Sequence, residues 1–600
     1  NISSTDSYFA NYVTLFAGGS VSFEINTSTF DSLTVIADNG ILVYGNLATD
    51  SGDLSLDGDA NNAANGFDSI LFANVQLDSA GGITLEATTG GMFMDGLLVL
   101  NANSGIAINS DIIGPPMPMA AVLSADADLD GDGTGDFTLG PAANITLFSG
   151  QAWIDANDVD LQGNLQAGLV SINDSDGTGI GLGATTVTGG LNVDGAELQR
   201  ITTSSLGLNT AGPITVDAIS AANSLNADAV VLDSASSVSF VNSPSTFRSL
   251  DAQADDGIAV DTDISTATGN LSLDGDADNA ADVNDNILFA DGVQLNSAGS
   301  LTLDATTSDM TAAGALALVA NSGVSLNDSL SGPAAAGILV ISADANTDGA
   351  GTATIAAGAT INEFTGQILI SADDLNLQGN LSADTVLVVE SHGGGIGLGD
   401  TAGGMTINGA TLQRITTAAL TLGTPGPVVV DNITAADSQN SAAVTLSAGT
   451  SVTFANNAST FNSLTVQAND GITVNANVST DTGSMSLDGD ADSAPGVNDN
   501  ILFTAGATLT SAGSLSLAAA AGDMTGAGAL TLNADDGISL WDSLTTAGLT
   551  TLNADADGSG GGDLAVAAGA TVNTAGNALD VTANDLDLQG NLQAGATSIA

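Results

Sequence analysis

The chain contains no cysteine and no lysine, has one histidine, and carries only Arg200, Arg248 and Arg414 as permanent positive charges. Without cysteine, neither a disulfide framework nor a thiolate metal site can exist. Without lysine, the glycine run after Glu390 cannot act as a Walker-type phosphate loop. Helix grammar is missing as well. Aliphatic residues at i, i+3, i+4 and i+7 are not sustained, and glutamate is confined to Glu24, Glu86, Glu197, Glu363 and Glu390. No apolar run approaches the ~20 residues of a membrane span. The shortage of bases leaves 68 acidic residues almost unopposed, for a formal charge of -65. Such a field repels nucleic acid and anionic lipid, so neither nucleic-acid binding nor membrane insertion is expected. Divalent cations are the natural partners.

What the chain does have is apolar bulk, 43% of its residues. Disordered polyanions combine high charge with low hydrophobicity, so this chain is expected to fold around a large core. Aspartate dominates its acids, and aspartate favours turns and caps, which puts the charge in loops.

The chain also repeats itself. LSLDGDANNAANGFDSILF, LSLDGDADNAADVNDNILF and MSLDGDADSAPGVNDNILF begin at 54, 271 and 485, and SVSFEINTSTF, SVSFVNSPSTF and SVTFANNASTF begin at 21, 237 and 451. Together with DVDLQGNL, DLNLQGNL and DLDLQGNL at 158, 374 and 585, they define a macro-repeat of about 215 residues. Residues 1–20 read as the end of a preceding macro-repeat, 21–236 as macro-repeat A, 237–450 as B and 451–600 as a partial C, in one continuous solenoid. Both ends fall inside a repeat, and neither shows the capping segment that a solenoid normally carries. The 600 residues are therefore expected to come from a longer repetitive chain or to be covered by neighbouring subunits.

Inside each macro-repeat runs a finer period of roughly 18–30 residues. SLTVQANDGITVNANVSTDTG, LALVANSGVSLNDSLSGPAAAG and ILISADDLNLQGNLSADT share an alternating apolar strand, an Asn, Asp or Gly turn, a second short strand and a polar bend. Strands this short bury little alone, but stacked as coils of a parallel β-helix their inward Leu, Ile, Val and Ala meet those of the next coil. About 26 coils at ~4.8 Å spacing predict a rod on the order of 120 Å long. Immunoglobulin-like domains, near 100 residues with evenly spaced longer strands, do not fit.

The patterns ANDGITVNANV and ANSGVSLNDSL resemble the filamentous haemagglutinin-like exoproteins and giant repetitive surface proteins of bacteria. That resemblance implies a right-handed parallel β-helix exported to the cell surface, with a role in adhesion or in a matrix. It also makes cell-surface or matrix polysaccharide a further candidate partner. The long macro-repeat and the acidic insertions are departures from that family's pattern.

Two sites per macro-repeat lengthen a coil with aspartates. The first contains Asp57, Asp59 and Asp68; then Asp274, Asp276, Asp278, Asp282 and Asp285; then Asp488, Asp490, Asp492 and Asp499. The second is SADADLDGDGTGDFTL, with Asp126, Asp128, Asp130, Asp132 and Asp136, echoed by Asp344 and Asp348 and by Asp555, Asp557 and Asp563. Carboxylates at alternate positions with a glycine for the turn can wrap oxygens around Ca²⁺, which takes six to eight of them. DADLDGDGTGD matches the start of an EF-hand loop but lacks its closing glutamate and flanking helices. Crowded carboxylates must in any case protonate or recruit a counter-ion. The bland alternative is a solvated acidic bulge that keeps the protein soluble.

Other residues carry weaker signals. Arg200 and Arg414 share the motif LQRITT and predict a repeated structural ion pair with an aspartate; Arg248 is expected to be merely exposed. His392 has no counterpart in macro-repeat A, which speaks against catalysis. Trp153 and Trp541 are expected to pack, and Asn144-Ile-Thr and Asn432-Ile-Thr are glycosylation sequons.

Three function classes compete. A β-helix polysaccharide-degrading enzyme needs acids and bases in one groove, and an active site is normally singular, whereas the acidic clusters recur. The leading expectation is a non-enzymatic, secreted, calcium-stabilised filament, sheath or matrix fibre built by self-association. The alternative is the rod-like stalk of a surface adhesin.

Overall fold

The computed structural model describes residues 12–281, 284–333, 337–496 and 498–599. The chain divides into two compact units. One runs to Gly299 and includes Leu303–Asp309; the other comprises Ser300–Thr302 and continues from Met310. Each is a parallel β-helix.

In the first unit the alternation of Leu33–Ala37 turns Leu33, Val35 and Ala37 inward and leaves Thr34 and Ile36 half-buried. That strand pairs in parallel with Leu54–Asp57 of the next coil, so Leu33 lies on Leu54 and Val35 on Leu56. Leu54 in turn lies beside Ile83, Ile83 beside Ile106 and Ile106 beside Phe137. Like residues therefore stack on like along the axis, and each fully buried aliphatic contributes roughly 1.5–3 kcal/mol. Three short strands make a coil, as in Leu33–Ala37, Ile41–Val43 and Leu47–Thr49, and strands pair in parallel with their counterparts on the next coil. The first strands form a seven-stranded sheet from Val13–Ala17 to Val159–Leu161, and the second an eight-stranded sheet from Val21–Phe23 to Ile201–Thr202. The acidic insertions lengthen two coils, between Leu54 and Ile83 and between Ile106 and Phe137, and the coil from Leu169 to Ser205 is longer still.

The second unit repeats the plan. A ten-stranded sheet runs from Met405–Ile407 to Asn591–Gln593, and a seven-stranded sheet from Ser459–Phe461 to Ala596–Ile599. Among the described residues no helix is long and apolar enough to cross a membrane.

Several expectations need correction. Among the described residues three short helices interrupt the strands, at Gly195–Arg200, Gly409–Gln413 and Ala435–Ser438. The first is set by a capping box: Asp194 accepts the amides of Ala196 and Glu197, and Glu197 accepts the amide of Asp194. That Asp-x-x-Glu signature is legible in the sequence, although so short a helix shows no amphipathic period. Arg200 donates to the Leu161 carbonyl and not to an aspartate. Arg248 instead forms an ion pair with Asp228 at 2.9 Å, the one ion pair among the described residues. Trp153 and Trp541 point outward, 40% and 58% exposed, with indole N–H groups donating to Gln151 and Ser516.

Candidate metal sites

The Leu-Asp-Gly-Asp segment opens the first kind of insertion with the same geometry in all three macro-repeats. The Asp57 carboxylate accepts the amide of Asp59, Asp274 that of Asp276 and Asp488 that of Asp490, each at 3.1 Å. The glycine between them is dictated by close approach, since a Cβ on Gly58 would lie 2.8 Å from the Ile70 side chain. The main chain is anchored on both sides, Gly58 donating to Glu86 on the following coil and Ala60 to Ala37 on the preceding one. The turn ends on a left-handed residue whose amide bonds the carbonyl of the second aspartate: Asn62 to Asp59, Asn279 to Asp276 and Ser493 to Asp490.

This turn buries the second aspartate. Asp59, Asp276 and Asp490 are fully buried, as are Asp68, Asp285 and Asp499 at the far end of the insertion. Both ends face the same turn of the next coil. Asp59 Oδ2 accepts the amide of Thr89 at 2.7 Å, and the neighbouring Gly90 lies so close to the Asp68 main chain that a side chain there would overlap it. In macro-repeat B one residue joins the pair, Thr307 donating its amide to Asp276 at 2.6 Å and its hydroxyl to Asp285 at 3.1 Å. In C, Ala521 donates to Asp490 at 2.6 Å, and Gly522 packs on Asp499. The Oδ2 atom of Asp68 is held by the amides of Asn65 and Gly66, and that of Asp499 by the amide of Gly496. The other oxygen, Oδ1, of Asp59, Asp68, Asp276, Asp490 and Asp499 is buried with no donor.

An outer ring of charge surrounds these pairs. Asp57, Asp274 and Asp488 are half-buried, and Asp278 and Asp492 are exposed. Burial, then the carboxylates of Glu86, Asp59 and Asp38, push the Asp57 carboxyl up. Asp274 is raised by burial and by Asp304, Asp276 and Asp251, and Asp490 by burial and by Asp499, Asp492 and Asp488. Asp282 lies outside the described residues.

The second kind of insertion is built differently. Asp126 is buried and bonded to the Ser175 hydroxyl at 2.7 Å. Asp128, Asp130, Asp132 and Asp136 are exposed. The amide of Asp132 is taken by Asp130; the hydroxyl and amide of Thr134 hold Asp132 below its usual pKa. Asn157 donates to Asp136. Asp344 repeats the clamp with Ser391 at 2.7 Å and also accepts the amides of Asp348 and Gly349, while Asp348 stays exposed. Asp555 accepts the Gly560 amide, Asp557 that of Ser559, and Asp563 an Asn584 side-chain N–H at 3.4 Å. Many of these carboxylates are thus engaged by amides of their own loop or by side chains of neighbouring coils. Among the described residues no three His, Cys, Asp or Glu side chains converge to hold a metal ion.

The glycine run after Glu390 is explained without a ligand. The buried Glu390 accepts the amides of His392, Gly393, Gly394 and Gly395 and the hydroxyl of Thr424. His392 Nδ1 lies 3.2 Å from the Thr347 carbonyl. The sequon Asn144 is engaged by Asp111 and Asn164, and Asn432 donates to Asp400.

No protein-family model, no curated protein and no solved structure matches the chain.

Proposed function

We propose that the chain is a non-enzymatic structural segment of an extracellular, bacterial cell-surface filament, sheath or matrix fibre, stabilised by divalent cations, calcium in the first place. The observation that carries this reading is repetition at atomic detail. The same buried carboxylates, the same Asx turn and a left-handed residue at the same place recur in all three macro-repeats. A reaction needs one site, whereas a fibre needs the same joint many times. The charge of -65 with three arginines supports cations as partners. The likeness of the coil grammar to exported β-helical surface proteins supports a place outside the cell, where calcium is abundant.

Electron microscopy of the purified 600-residue chain with millimolar Ca²⁺ tests the reading. Continuous polymers are the expected result, and dispersed single particles at every calcium concentration would count against a fibre.

A further inference from the structure

We infer that each macro-repeat holds one Ca²⁺ between the two inner aspartates of its first insertion: Asp59 with Asp68, Asp276 with Asp285, and Asp490 with Asp499. The inference rests on the structural reading above and narrows it to particular atoms. The exposed DADLDGDGTGD loop, which looks most like a calcium motif in sequence, is not the site.

A buried carboxylate oxygen without a donor is costly, more so when ionised, and native proteins rarely tolerate one without a counter-charge. Here the same Oδ1 atom is orphaned in Asp59, Asp68, Asp276, Asp490 and Asp499, while each Oδ2 is fixed by an amide. A random defect would not recur at matching positions two hundred residues apart. Fixed Oδ2 atoms leave each of these five carboxylates one oxygen to offer, and in macro-repeat B both members of the pair abut the same turn of the next coil. Among the described residues the one ion pair joins Arg248 to Asp228 and involves none of these five carboxylates. Two carboxylates that share a dry site bind a cation or share a proton. A hard divalent ion suits an all-oxygen site completed by carbonyls and water. Such an ion would join the insertion of one coil to the turn of the next.

The test is Tb³⁺ luminescence and Ca²⁺ equilibrium dialysis on the whole chain, in about 0.15 M NaCl to screen loose surface binding. The expected result is three saturable inner-sphere sites, with excited-state lifetimes that show few bound waters. Asp490→Asn with Asp499→Asn should remove one of the three, and Asp130→Asn with Asp132→Asn should remove none. Should the double variant misfold, Asp499→Asn alone and a cryo-electron density map of the wild type with Ca²⁺ and with EDTA decide the matter. Stoichiometry untouched by the inner-pair variants overturns the inference, as does density without an ion. A protonated-carboxyl infrared band that persists in Ca²⁺ would mean that the pairs share protons, which also overturns it. Any of these results leaves fibre formation to be judged separately by microscopy.

Discussion

Asp174 and Glu390 occupy the same turn in successive macro-repeats and differ by one methylene, and that difference decides their chemistry. Glu390 reaches four amides and a threonine hydroxyl; burial raises its pKa, but these bonds outweigh burial and hold it below the usual range. Asp174 accepts only the Gly179 amide and the Thr210 hydroxyl, and one of its oxygens is buried without a donor. Burial, with Asp176 beside it, pushes its carboxyl up to about 6 from 3.8. The folded chain therefore binds a proton there that the unfolded chain releases. The contribution is fully favourable below the unfolded pKa and is lost as pH rises through about 6. Asp174→Asn should thus stabilise the fold at neutral pH by about 1–2 kcal/mol after allowance for solvent screening, and by nothing near pH 4. Denaturant unfolding of variant and wild type at both pH values checks this. An equal difference at both would refute the assigned titration.

At the scale of elements, the three copies of the insertion form an internal comparison. Its turn demands a left-handed residue, supplied by Asn62, Asn279 and Ser493 with φ of 50°, 54° and 52°. Asparagine tolerates that conformation, whereas serine pays a larger steric penalty. Ser493→Asn should raise the stability of the second unit by about 0.5–1 kcal/mol, read as a higher midpoint in chemical unfolding. A lower midpoint would mean that the Ser493 turn is held for another reason.

The elements also show what sequence could and could not reveal. Strand alternation, three-strand coils and macro-repeats were legible, because a period of two and a long internal repeat are properties of the chain itself. The division of each acidic insertion into inner and outer carboxylates was not. Asp57 and Asp59 look alike in LDGD, yet a turn at Gly58 ends the alternation and sends Asp59 inward. Asp68 returns beside Asp59 only because both pack on the 88–91 turn of the next coil, a contact that no local pattern encodes. At Asp130 and Asp132, whose spacing matches an EF-hand loop, the carboxylates accept amides of the loop itself, a local use that the spacing does not reveal. The tryptophans depart from the expected packing for a local reason: Trp153 sits at an outward position of Gln151–Ala156, and parity within that strand outweighs the ring's hydrophobicity.

At the scale of the whole molecule the dominant quantity is charge. With -65 on 600 residues, self-repulsion opposes folding and assembly alike, and salt relieves it only between exposed groups. Buried pairs are screened much less, so a bound ion acts where salt cannot. A ligand that binds only the folded state at a hundredfold excess over its Kd contributes about 2.7 kcal/mol per site. The most direct measurement is thermal unfolding of the intact chain in EDTA and in millimolar Ca²⁺ at matched ionic strength. A calcium-held solenoid predicts a midpoint several degrees higher with calcium, a gain reduced by Asp490→Asn with Asp499→Asn; unfolding curves that overlay with and without the ion would contradict it.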